Sequence, residues 1–489
     1  MKKFFHSSLI IASLAMVLGF VMQSCGSKSS NQVPADATMV VTLNLNRVIE
    51  NAGASVDDKG NITLPADLEA DAQVKAMTNM MSSFVAPFEL NDMVIYTRSA
   101  NMNEGFVGIV NLRDREAAIE KLNSVLGRSE KESGFDVYKA NGVTFAVKDN
   151  TLYVASSLAD ITEGIKAAKK ESFESMGAVN DYLHQGKAIA MVVNGTGKLP
   201  ANYADSWVCL NFDVENQSLT GEFIMMNVDG KRVDFGSAID VVSTDFLRYL
   251  PANTQSVMAL GQITDPNIKM ALTMLANQMG PMADAINGLD GTIAFAIGTN
   301  DQFDAIEFTK KLRNEELDLK GLDLMLMARY TQAALPNVID GISQLAAQLG
   351  KVDGNTFTVD DQKFYFGSAD SYAIVSTQPI SAGSQNEFAP LVEGKRAVIA
   401  SYAEPGNNPF GFEFGSKGAL WLETDAVKLN ATVTNTDKGF IAVMLEVLEN
   451  PQVQAQILEA VEQMESAGLA PALDESFGGY DDDAAFNVD

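Results

Sequence analysis

The strongest constraint on the fold of this chain is that one order of short blocks runs through it twice. Val33-Pro34-Ala35-Asp36-Ala37-Thr38 leads into Met39-Val40-Val41-Thr42-Leu43, and Leu250-Pro251-Ala252-Asn253-Thr254-Gln255 leads into Ser256-Val257-Met258-Ala259-Leu260. Turn residues followed by an apolar, β-branched run read as the start of a strand in both places. A stretch of helical period comes next, residues 66 to 84 and 265 to 288, and then a β-rich run, residues 93 to 97 and 292 to 297. A further strand and an amphipathic helix ending in Leu-Gly follow, residues 114 to 127 and 335 to 350. Residues 135 to 147 form a hairpin pattern turning at Asn141-Gly142, matched by residues 356 to 366 with Asp360-Asp361 at the corresponding place. Leu152-Tyr153-Val154-Ala155-Ser156-Ser157 is echoed by Tyr372-Ala373-Ile374-Val375-Ser376-Thr377. Each half is then expected to hold a helical segment, a strand (188 to 193; 397 to 402) and a closing pair of long strands (206 to 212 with 219 to 226; 419 to 424 with 429 to 434).

This order predicts an α+β chain built by tandem duplication, with units at residues 33–248 and 249–448 and a boundary near Leu247 to Pro251. Each unit should be an antiparallel sheet with helices covering one face. The second half carries about twenty extra residues, Asp301 to Lys320. Past the second unit, residues 449–468 read as a C-terminal helix, with Val453, Ile457, Val461 and Met464 at helical spacing so that one face docks on the body. Residues 469–489 are acidic and glycine-bearing, the composition of a disordered tail.

The N-terminus bears on location. Lys2-Lys3, an apolar run from Leu9 to Met22 and Gln23-Ser24-Cys25-Gly26-Ser27 have the layout of a secretory signal, residues 1–24, ending in a lipoprotein cleavage site. Cys25 would then be the lipidated first residue of the mature chain, residues 25–32 a polar tether, and the lipid the only membrane anchor. The run is too short for a membrane-spanning helix, and no other apolar run reaches the roughly 18 residues one requires. Hydrophobic residues make up 46% of the 489 and charged residues 20%, a composition that can fill a large core. The formal net charge of −28 repels phosphate backbones, so nucleic acid is not an expected partner, whereas cations and basic groups are attracted.

The chemistry-bearing residues are few. Beside Cys25 the only cysteine is Cys209, within the apolar run Trp207-Val208-Cys209-Leu210, which reads as a buried thiol. Cys/His zinc sites are excluded by count, and neither a metal site nor a cofactor is expected. His184 is the single histidine past the signal and stands at a predicted helix end before Gly186, where dipole and capping account for it without catalysis. Asn194-Gly195-Thr196-Gly197-Lys198 lacks both the leading glycine and the following Ser or Thr of a phosphate-binding loop and reads as a turn between strands. Asp57-Asp58, Asp360-Asp361 and Asp481-Asp482-Asp483 lack the alternating spacing of a calcium loop and read as turn or tail residues. Met77, Met80 and Met81, with Met274, Met279 and Met282 in the matching stretch of the other half, mark a possible apolar groove.

The lipidation site at Cys25, the opening Val33-Pro34-Ala35-Asp36-Ala37 followed by Val48-Ile49-Glu50-Asn51-Ala52-Gly53, and the two-unit body together resemble the Bacteroidota envelope lipoproteins classed as domain of unknown function 4836. The resemblance implies an outer-membrane or periplasmic address and carries over no catalytic residue. Gly26-Ser27-Lys28-Ser29-Ser30 has no acidic cluster of the kind associated with surface display, which favours the periplasmic side. The expected role is a non-enzymatic binding or scaffold protein whose partner is an envelope protein, a glycan or an apolar ligand. The alternatives are a carboxylate-dependent hydrolase acting on glycans, which needs two facing acids in a deep cleft, and a carrier of apolar cargo, which needs a continuous cavity lined by the methionine segments.

Overall fold

The computed structural model describes residues 29–64, 78–79, 82–91, 93–99, 105–195, 205–278, 286–303, 307–308, 311, 319–359, 362–383, 387–406, 412–450 and 453–454. The expected signal, Cys25 and its tether up to Lys28, the Asp360-Asp361 turn, most of the C-terminal helix and the tail lie outside the described residues.

The body is one large antiparallel sheet with helices, so the α+β expectation holds. Its strands in the first half are β1 (Met39–Leu43), β2 (Met93–Thr97), β3 (Phe106–Asn111), β4 (Glu130–Glu132), β5 (Phe135–Ala140), β6 (Val143–Lys148), β7 (Thr151–Ala155), β8 (Ile189–Asn194), β9 (Trp207–Glu215) and β10 (Ser218–Met226). The second half supplies β11 (Thr254–Leu260), β12 (Leu289–Thr299), β13 (Leu322–Tyr330), β14 (Lys351–Asp353), β15 (Thr356–Val359), β16 (Gln362–Ala369), β17 (Tyr372–Ser376), β18 (Ala397–Ala403), β19 (Gly415–Leu422) and β20 (Ala426–Thr434). A separate two-residue ladder joins Ser55–Val56 to Ile62–Thr63.

Followed by hydrogen bonding, the first ten strands run β4-β5-β6-β7-β3-β2-β1-β8-β9-β10. The last ten, read from the opposite end, run β14-β15-β16-β17-β13-β12-β11-β18-β19-β20. The two sequences of pairings coincide strand for strand, each strand of the first half matching the one ten places later. They meet where β10 pairs antiparallel with β20, Ser218 opposite Thr432 through Ile224 opposite Ala426.

Local sequence accounts for the ladders. β1 reads Met-Val-Val-Thr-Leu, β-branched at its centre, and its inward residue Val40 is 1% exposed. Between β5 and β6, Asn141 and Gly142 both take positive φ, 49° and 77°, which the right-handed twist of a tight hairpin demands. The amphipathic helices α1 (Leu45–Asn51) and α2 (Arg115–Leu126) are capped by Asn44 and Asp114, whose side chains accept from the backbone N–H three residues on.

Helices occupy both faces of the sheet, not one. On β5, Tyr138 points its hydroxyl at Asn123 of α2, and Tyr138 lines up through Phe145, Val154 and Gly108 with Ile95. The neighbouring residue Tyr96 points to the opposite side by strand alternation, and there it meets α3 (Leu158–Lys170). α3 buries Ile161, Gly164 and Ala168, and at Gly164 its backbone rides directly over the Tyr96 hydroxyl. Here the absence of a Cβ is a packing requirement: one placed at Gly164 would overlap the phenol oxygen. Burying Tyr96 and Ile161 fully removes apolar surface from water at roughly 25 cal/mol per Å², about 2 kcal/mol for each such side chain.

Gly164→Ala should therefore destabilise the protein by about 1–3 kcal/mol through overpacking, despite alanine's better helix propensity. Removing the opposing oxygen with Tyr96→Phe should recover part of that loss. Urea unfolding of the single and double variants checks the pair, and additive losses would show that the two groups do not touch.

Candidate cleft of the second half

After β7 the first half turns at once into α3. Ser157 caps the helix by accepting from the Asp160 N–H, and Ala, Lys and Glu residues carry it for 13 residues. After β17 the chain reads Thr377-Gln378-Pro379-Ile380-Ser381-Ala382-Gly383-Ser384, a stretch of Pro, Ser and Gly with poor helix propensity. Proline at 379 also biases Gln378 to extended backbone. The described part of this segment is loop, and the nearest helix, α4 (Ala389–Val392), has four residues. The expected helical segment is thus long in the first half and nearly lost in the second, and its propensities were the signal for this.

The space left open is a cleft of about 770 Å³ on that same face, at the end of the sheet where β11 begins and β17 and β18 end. One wall is the segment Tyr249 to Thr254, the counterpart of the phrase that opens the first unit. The opposite wall is formed by Gln378, Pro379, Ser381 and Gly383 together with Glu387 and Phe388. Met325 and Asp323 of β13 form the floor, and Tyr402 and Glu404 close the side. The loop is tied down by Gly383, whose N–H donates to the Arg248 carbonyl at 2.6 Å.

Asp323 is 4% exposed, and its donors are three carboxamides. Gln378 Nε2 donates to Oδ1 at 2.7 Å, Asn300 Nδ2 lies 3.4 Å from the same oxygen, and Asn253 Nδ2 donates to Oδ2. The buried carboxylate is thereby satisfied by neutral donors, one from each element that borders it. Asn300 is the last residue before the segment Asp301 to Lys320.

Aromatic and acidic groups line the rest. Phe388 is buried and meets Tyr402 edge to face, with ring centroids 6.5 Å apart. Burial raises the Tyr402 hydroxyl pKa above its ordinary value, and the negative charges of Glu387 and Glu404 add to the shift. Tyr249 donates its hydroxyl to Asp370, which holds that carboxyl below the usual carboxylate range with help from Arg248. Arg248 lies over the Tyr249 ring, 5.1 Å from its centroid, and pairs with Asp370 outside the cleft.

The other sequence candidates fall elsewhere. Met274 lies on the helix Pro266–Gln278, 60% exposed and away from the cleft, while Met77, Met80, Met81, Met279 and Met282 lie outside the described residues. An apolar groove of about 390 Å³ does exist on the other face, lined by Met258, Phe295, Ile399, Leu420 and their neighbours, and Met274 is not part of it. His184 is the C-cap of the helix Ala178–Leu183, its ring nitrogen 2.9 Å from the Asn180 carbonyl. Asp57 makes a turn, accepting from the Asn61 side chain and from the backbone N–H groups of Asn61 and Lys59, and these bonds lower its pKa. Cys209 is fully buried on β9, and burial pushes its thiol up to about 12. Among the described residues, no group of three or more His, Cys, Asp or Glu is arranged to hold a metal ion.

Comparison with known protein families, with characterised proteins and with solved structures yields no match. The cleft has to be read from its own geometry.

Replacing Asp323 by Asn turns an acceptor into a donor against carboxamide N–H groups, and should cost about 1–3 kcal/mol in chemical denaturation. Cys209 should not react with a disulfide reagent at pH 8 in the folded protein and should react at once in denaturant, since its thiolate forms only near pH 12. Because the unfolded thiol ionises near 9, this group also lowers folding stability progressively as the pH rises from about 9 towards 12.

Proposed function

We propose that this chain is a lipid-anchored, non-enzymatic binding protein of the cell envelope, which holds a small ligand in the cleft of its second half. The anchor is Cys25, and the body faces the periplasm, in keeping with the Bacteroidota envelope lipoproteins that the chain resembles. The body arose by tandem duplication, which is supported by the identical pairing order of the two sets of ten strands and by the Pro-Ala-Asp and Pro-Ala-Asn phrases at equivalent places. After duplication the halves diverged in role: the first keeps α3 over its core, and the second carries a loop in that position.

The observation that carries the binding reading is this difference. A duplicated fold that loses 13 residues of helix without a replacement would be left with a collapsed or exposed core. Here the core beneath is sealed by Phe388, Tyr249 and Met325, and the vacated volume has a built polar floor at Asp323. A cleft of this size with an aromatic wall and a few fixed polar groups has the usual form of a small-molecule site.

Native mass spectrometry of the full chain, purified from its own membranes in detergent, tests the reading. A bound small molecule should accompany the wild-type protein and be lost from Ser381→Trp, which places an indole in the cleft. If no molecule accompanies the wild type, or if the same one survives in Ser381→Trp, the cleft is not the binding site.

A further inference from the structure

We propose that the cleft selects an organic ammonium ion, a cationic head group on a body small enough to enter, an inference that rests on the binding reading above. The argument begins with charge. Three carboxylates face the cleft, Asp323 at its floor and Glu387 and Glu404 at its rim, and among the described residues no Lys or Arg contributes to its lining. The guanidinium of Arg248, over the Tyr249 ring, is engaged by Asp370. Lys417 stands opposite Tyr402 on the adjacent strand and is exposed outside the lining. Such a site is disfavoured for phosphates, carboxylates and other anions by direct repulsion.

The kind of cation follows from the walls. Asp323 has both oxygens occupied by carboxamides, so the floor presents negative charge without a free chelating edge, as a diffuse cation needs and a small metal ion does not. The half-buried Tyr402 lines the cleft, and an aromatic ring beside carboxylates attracts alkylated nitrogen. Pro251, Met325 and Pro379 supply apolar contact for the carbon around that nitrogen. The first half offers no equivalent, because α3 lies over the matching strands and Val107 and Gly105 stand where Met325 and Asp323 stand in the second. The overall charge of −28 raises the local concentration of any cation at the surface.

The test uses the full chain in detergent and three defined probes: choline, its neutral isostere 3,3-dimethylbutan-1-ol, and calcium chloride. Calorimetric titration should give choline at least about tenfold tighter binding than the isostere, the difference that one charge–π and carboxylate contact supplies. In Glu387→Gln/Glu404→Gln, two exposed substitutions that leave the core untouched, the ratio should fall towards one while the melting temperature is unchanged. Equal binding of choline and isostere overturns the ammonium inference and leaves the binding reading standing if a molecule is still displaced by Ser381→Trp. Binding of calcium that is abolished in the double variant overturns it in favour of a metal site. Failure of choline to bind at about 10 mM, far above any specific affinity for such a site, also overturns it.

Discussion

The pairing of β10 with β20 is the constraint on which this architecture rests. Each set of ten strands ends in a nine-residue strand with an exposed row of N–H and C=O groups, the kind of edge that invites pairing with another chain. By bonding to each other from Ser218 and Thr432 to Ile224 and Ala426, the two edges satisfy those groups within one molecule. Side chains reinforce the register: Ser218 and Thr432 hydroxyls are 3.0 Å apart, and Gln217 Nε2 donates to the Thr436 carbonyl. The helix Phe440–Glu449 then covers the junction, with Ile441 N–H donating to Asn51 Oδ1 at 2.7 Å, so the last described helix is tied to the first. Among the described residues, the remaining edges belong to β4 and β14, each of three residues, short and fully or largely exposed. Short, charged edge strands of this kind template little.

Much of this body was legible in the chain and some was not, for identifiable reasons. A strand that combines β-branched residues with period-two burial, such as Leu289–Thr299, coincides with its sequence signal because local pattern and tertiary environment agree. The hairpin at Asn141-Gly142 was legible because only a positive-φ pair closes it. The short strands Glu130–Glu132 and Lys351–Asp353 have no hydrophobic alternation, and were missed since their pairing alone defines them. The β10–β20 ladder joins residues more than two hundred positions apart, and no local signal encodes such a partner choice. Helices on both faces were also missed, because a strand such as Met93–Thr97, buried on both sides, carries no alternation to say which face is covered.

The candidate site illustrates a different limit. Asp323 is one of 63 acidic residues, and its sequence neighbourhood, Gly321-Leu322-Asp323-Leu324, resembles any strand with one polar residue. What distinguishes it is the convergence of Asn253, Asn300 and Gln378 from three separate segments, which only folding brings about. The methionine pattern, by contrast, was conspicuous in the chain, yet Met274 is exposed and stands outside both the cleft and the apolar groove. Conspicuous composition reflects what a segment is made of. A site reflects which segments meet.

The contrast between halves also explains how the second tolerates an open cleft. In the first half Tyr96 rises from β2 into α3, so deleting the helix would strip a large buried ring of its cover. Its positional equivalent in the second half is Ala296, which needs no such cover, as the shared register with Val40 and Val257 fixes the correspondence. The bulk that Tyr96 supplies is replaced from the side by Phe246, Tyr249 and Phe388, all buried in the second core. With alanine instead of a large ring at the centre and the aromatic mass at the rim, the second half presents a walled depression where the first presents a packing surface. A Pro- and Ser-bearing loop in place of α3 is then stable, because the groups it leaves facing the space are polar or aromatic and can be solvated or bound. An Ala296→Tyr substitution would reverse this logic: its phenol would project into the second core with no Gly164 counterpart to receive it.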